Sequence, residues 1–135
     1  MSTNEDYLRL SGLAGLAAGL GIGVYQTWVL DPVFPAMHDV VPEWMVVTHI
    51  HLLGLSLAVL LLSHYLDDVF VGYKGVVTAA AIVGQWGFPL TLYPVIALGI
   101  GPIGLLHNLL GIVMFLTVLA FAINYVRHGF GTAGE

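Results

Sequence analysis

The sequence predicts an all-α integral membrane protein, a four-helix bundle filling a single domain over residues 1–135, with N and C termini cytoplasmic. Three observations predict it. The chain is 59% hydrophobic and 8% charged, with a mean hydropathy of +0.95, which is too apolar for a soluble domain with a polar shell. Four apolar stretches each reach the roughly 20 residues that a helix needs to cross a bilayer. The few cations fall where an even number of crossings puts them all on one face.

Composition also excludes whole classes. Three Lys and Arg stand against eight Asp and Glu, with no basic cluster, so nucleic acid is excluded and an anionic lipid surface has no docking site. The absence of Cys removes disulfides, thiolate metal sites, iron–sulfur ligation and covalent c-type haem attachment together. His and carboxylates remain as metal ligands. Lys74 as the sole lysine and a net charge of −5 are compatible with a high-salt organism, although a membrane chain exposes little surface on which such a bias could act.

The first predicted helix runs roughly from Tyr7 to Leu30. It begins too late and runs too long for a cleaved signal peptide, and it lacks the basic leader, so it is read as a mature helix. Gly15, Gly19 and Gly23 recur at four-residue spacing with Gly12 one turn earlier, a stripe that lets two backbones approach closely in lipid. The stripe is a packing seam toward a helix of the same chain or of a second copy. Asp31-Pro32, Pro35 and Pro42 then break the pattern.

The second helix is expected from Trp44 to Leu66 and the third from Gly75 to Leu98, separated by Asp67-Asp68 and Gly72. Gln85-Trp86-Gly87-Phe88-Pro89 and Thr91-Leu92-Tyr93-Pro94 place two prolines in the third, which permit a kink and a pocket lined by Gln85, Trp86 and Tyr93. A bent helix with Tyr93 and Trp44 in an interfacial aromatic belt explains the same residues. After Gly99-Ile100-Gly101, Pro102 fits the first position of a fourth helix, Pro102 to Tyr125. Arg9, Lys74 and Arg127 then share one face, which is cytoplasmic by the positive-inside rule in a cell (plasma) membrane. The connection from Asp31 to Glu43, with Asp39 in it, lies outside; Asp39 and Glu43 read as solvated, or as proton carriers.

An imidazole inside lipid is costly and usually faces a partner, a cavity or a cofactor. Three of the six histidines lie well inside helices: His49 and His51 in the second, His107 in the fourth. By the helical rise all three sit about 6–8 Å below the outer helix ends, in nearly one layer. His49 and His51, two residues apart, differ by about 200° in direction and address two different neighbours. Gly54 three residues after His51, and Gly104 and Gly111 flanking His107, remove side chains that would collide with a flat ligand. Neutral imidazole is a standard axial ligand of haem iron, so the layer is a candidate site for haem b with His49, His51 and His107 as metal ligands. Copper or zinc is an alternative occupant. Simple hydrogen bonding between helices, with Thr48, Asn108, Gln85 or Thr91 as partners, is a third reading. His38, His64 and His128 read as solvated or interfacial.

The His-x-His-x-x-Gly segment at residues 49–54 and the His-Asn-x-x-Gly segment at 107–111 resemble fragments of the catalytic subunit of the haem-copper oxidase and nitric oxide reductase superfamily. The resemblance covers about a fifth of the chain. It implies that His49 and His51 match two histidines that address two haems, and that this four-helix chain resembles one arc of a twelve-helix core. It further implies a homo-oligomer, a trimer or a dimer, with the second helix of each copy toward shared sites. The chain has no His-His pair, no His-x-x-x-Tyr and no proton-channel pattern of that superfamily.

The functional expectation is a haem-binding membrane protein for electron transfer, with a quinol or other electron-transfer partner, or for O₂ or NO redox chemistry. Bis-imidazole ligation favours the former and one-His ligation the latter. The competing expectation is a cofactor-free accessory subunit of a respiratory membrane complex, docked through the Gly15/Gly19/Gly23 seam.

Overall fold

The computed structural model describes residues 3–30, 41–70 and 72–129, with no side-chain description at 29, 30, 128 and 129. Helix α1 (Thr3–Tyr25) runs into a π turn at Gln26–Leu30; α2 spans Glu43–Val69; α3 (Lys74–Leu90) is followed by a second π turn, Tyr93–Ala97; α4 spans Gly101–Gly129. The described residues are all-helical, and all four helices are long and apolar enough to cross a membrane. Expected and observed ends agree within a few residues. Hydropathy locates the apolar middle of a helix but not its polar first turn, and α1 accordingly starts at Thr3, with Glu5 and Asp6 complementing its N-terminal dipole.

Successive helices run antiparallel, as the contacts show. Gly12 lies against Leu60 of α2 while Gly23 lies against His49, so α1 ascends as α2 descends. Lys74 pairs with Asp67, and Thr48 approaches the Pro89 carbonyl, which fixes the same sense for α2 and α3. Gly84 meets Met114 and Gly87 meets Leu110, which does so for α3 and α4. Arg9, Lys74 and Arg127 therefore gather at one end of the bundle and His49, His51 and His107 toward the other. The apolar core is Leu8, Val59, Leu62, Leu66, Val69, Phe70, Ala81 and Met114.

Pro89 lies inside the last turn of α3, where it removes a backbone donor. The Thr91 hydroxyl caps the end of the helix, reaching the carbonyls of Gly87 at 2.9 Å and Phe88 at 2.8 Å. Pro94 falls at the start of the following π turn, and the reversal into α4 passes through Gly99 at φ 64°, the left-handed region that glycine adopts without a Cβ penalty. Trp44 and Tyr93 meet edge to face at 4.8 Å, joining the first turn of α2 to the π turn after α3.

The glycine seam is internal. A Cβ on Gly12 would strike Leu60, one on Gly15 would fall on Gln85 and Ser56, one on Gly19 on Leu53, and one on Gly23 on the His49 ring. The stripe is thus consumed by α2 and α3 of the same chain, which overturns its expected use as a docking surface for a larger complex. Gln85 also differs from expectation. It is fully buried away from the histidines, its amide donating to the Ser11 carbonyl (3.0 Å) and to Ser56 Oγ (2.9 Å) while its Oε1 accepts from Ser11 Oγ (2.7 Å). Trp86 Nε1 donates to Ser11 Oγ at 2.9 Å. The pocket expected from Gln85, Trp86 and Tyr93 is therefore not formed: two of the three tie α3 to α1, and Tyr93 packs on Trp44.

Candidate functional site: the histidine layer

His49 and His51 diverge as their spacing requires. The His49 ring turns to α1, lies across Gly23 and brings Nδ1 within 2.6 Å of the Gly19 carbonyl. The His51 ring turns to α3 and meets Phe88 edge to face at 4.9 Å, with Nδ1 at 2.8 Å from the Val47 carbonyl of its own helix. One chain therefore supplies a neighbour for each ring. The idea that the pair needs other copies of the chain to face, which motivated the expected trimer, loses its ground.

His107 comes to the same level from α4. Its Nδ1 is 2.9 Å from Thr91 Oγ1 and 3.2 Å from the Phe88 carbonyl. Since the Thr91 hydroxyl already donates to α3 carbonyls, it accepts here. Every Nδ1 in the layer thus faces an acceptor, and the network assigns the ring proton to Nδ1 in all three imidazoles. Each Nε2 is left as the lone-pair nitrogen, without a hydrogen-bond partner among the described residues. That is how proteins orient a metal-binding imidazole.

The space between the imidazoles is occupied. Phe88 stacks on His107 with centroids 4.2 Å apart and planes at 21°, while its other neighbour is His51. A Cβ on Gly111 would meet the Phe88 ring at 2.9 Å, so Gly111 makes room for that ring and not for a porphyrin. The flat group for which the glycine was expected to clear space is a side chain of the protein. Gly54 and Gly104 are different: nothing lies within 4 Å of either Cβ position. Gly54 sits on the exposed face of α2 among Ile50, Leu57 and Leu61.

Among the described residues no group of three or more His, Asp or Glu converges to hold a metal ion, so a copper or zinc site inside one chain has too few ligands there. His64 is exposed and edge-on to Tyr65 at 4.8 Å, near a groove of about 300 Å³ lined by Leu61, Tyr65, Phe121 and Tyr125 at the other end of the bundle. His38 and Asp39 lie outside the described residues, as does the His128 side chain. Ser11 and Ser56, which complete the buried polar network, were not singled out by sequence. Residue type carries no signal for them, since a hydroxyl in a membrane helix usually bonds within its own turn.

A family model described as Domain of unknown function (DUF8059) matches residues 4–135. No curated protein matches the chain, and no solved structure matches it.

Proposed function

We propose a function for this chain, which belongs to the DUF8059 family over nearly its whole length, from its histidine layer: an integral protein of the cell membrane, both termini cytoplasmic, that binds a b-type haem through one imidazole per iron, for O₂ or NO chemistry. Arg9, Lys74 and Arg127 at one end of the bundle support the orientation. The observation that carries the haem reading is His51. His49 and His107 spend their Nδ1 protons on neighbouring helices, which hydrogen bonding between helices explains. His51 spends its own on Val47, one turn back, so its hydrogen bond joins no two helices, and its only link to α3 among the described residues is the edge-to-face contact with Phe88. An imidazole placed at a cost in lipid, oriented by its own helix and with Nε2 unpartnered among the described residues, is explained by a ligand.

The residues fit such a group in one way and not in another. Between His51 and His107 they do not fit it, because Phe88 fills the gap and keeps both imidazoles off one iron. At His51 alone the donor chemistry fits it: the Val47 carbonyl holds Nδ1, Nε2 is the donor, and Gly54 one turn on has nothing within 4 Å of its Cβ position. A haem held by one imidazole keeps an open iron position for a small gas. The second reading, a cofactor-free subunit, is favoured by the two interhelical bonds of His49 and His107.

A reduced-minus-oxidised visible spectrum of the detergent-purified protein, produced with haem supply, decides between them. A Soret band that shifts on adding CO is expected, lost in His51→Ala while helicity and unfolding midpoint stay near wild type. No Soret band under haem-replete conditions overturns the haem reading. The cofactor-free reading instead expects colourless protein in which His49→Ala and His107→Ala lower stability by about 1–2 kcal/mol each and His51→Ala changes little.

A further inference from the structure

The fourth helix is the least covered. In its most apolar stretch 11% of the residues are buried, against 28% in α1 with its π turn, 28% in α2 and 33% in α3 with its π turn. Its outward face holds Gly101, Leu105, Asn108, Ile112, Phe115 and Leu119, with Leu105 76%, Ile112 54% and Phe115 63% exposed. The steps along this stripe alternate four and three residues, the heptad spacing by which one helix meets another along a left-handed seam.

Asn108 is the exception on that stripe. It is exposed and makes no hydrogen bond among the described residues, whereas Asn124 on the same helix bonds back to the Ala120 carbonyl at 2.8 Å. Asn108 lies about 9 Å from the middle of the Gly101–Arg127 span by the helical rise, which is within the roughly 15 Å half-thickness of the hydrocarbon. An amide facing lipid there is left without water, and its donor and acceptor call for a partner.

We propose that this face of α4 binds a second copy of the chain, with Asn108 of each protomer hydrogen-bonded to Asn108 of the other. The occupant follows from two facts. Copies inserted in the same orientation are related by an axis along the membrane normal, so Asn108 meets its counterpart at the same depth. An amide also carries both donor and acceptor, so two of them across that axis satisfy each other. A lone Asn on an otherwise apolar heptad seam fixes register and copy number in the same way. This interface is independent of the haem reading, since that reading rests on His51 of α2, whose ring turns to α3, and the outward stripe of α4 carries none of its residues.

The absence of cysteine makes the test direct. Leu105→Cys and Ile112→Cys are made singly and oxidised with copper phenanthroline in native membranes, beside Val83→Cys on the exposed face of α3. Cross-linked homodimer is expected from the two α4 variants and not from Val83→Cys. In liposomes, Asn108→Leu should weaken dimerisation roughly three- to thirtyfold by photobleaching-step counts, the range that hydrogen bonds between membrane helices span. Wild-type chains that remain monomeric, cross-linking no better from α4 than from Val83→Cys, α4 cysteines that capture a different protein, or Asn108→Leu dimerising as wild type would overturn the proposal.

Discussion

Gly15→Leu is expected to be the most damaging single substitution in the chain. The position that its Cβ would take is already held by Gln85 Nε2 and Ser56 Oγ, with Ser56 Cβ at 3.3 Å. Neither neighbour is the free end of a flexible surface chain. Gln85 is fully buried and fixed by three hydrogen bonds to Ser11 and Ser56, so it moves only by breaking them. Overpacking of a tight core costs about 1–3 kcal/mol. Each lost hydrogen bond between membrane helices adds roughly 0.6–2 kcal/mol. Together, with three bonds at stake, they predict a loss of about 3–9 kcal/mol, read as helicity against rising SDS fraction in mixed micelles. Gly15→Ala should follow the same direction more weakly, which keeps the result readable where Gly15→Leu does not fold. The control is Gly21→Leu, on the exposed face of α1 with nothing within 4 Å of its Cβ position, where stability should stay level or rise slightly. Equal effects at Gly15 and Gly21 would show that the seam is not where α1 meets the bundle.

That seam also shows what a sequence can and cannot disclose. Four-residue glycine spacing announces a close approach, because only the missing side chain lets backbones meet. It does not announce the partner, since lipid-facing and helix-facing positions are equally apolar and periodicity carries no inside or outside. The same blindness hid the Ser11, Ser56 and Gln85 network. A hydroxyl in a membrane helix usually bonds back to its own turn, as Thr117 does to Val113 at 2.8 Å, and nothing in the residue type distinguishes a Ser that crosses to another helix. The histidine layer was more legible. Depth follows from counting residues along a fixed rise, and divergence of His49 and His51 follows from 100° per residue, so both survive folding unchanged. The role of Gly111 did not, because a glycine clears space for whichever flat group arrives first, and Phe88 on the neighbouring helix arrives within the chain.

The pairing of Phe88 with Gly111 yields a sharper expectation than either residue alone. Phe88→Ala removes the ring that stacks on His107, meets His51 and fills the hollow over Gly111, and the cavity should cost about 3–5 kcal/mol. Gly111→Ala alone pushes a methyl to 2.9 Å from the Phe88 Cε2 and 3.2 Å from its Cδ2, predicting a loss of about 1–2 kcal/mol. In the double variant there is no ring to strike, and the methyl occupies part of the hollow. The Gly111→Ala cost should therefore vanish or reverse, leaving a coupling of at least about 1 kcal/mol in the cycle, well above the few tenths expected for independent sites. Additive losses would mean that Gly111 is held small by something other than Phe88.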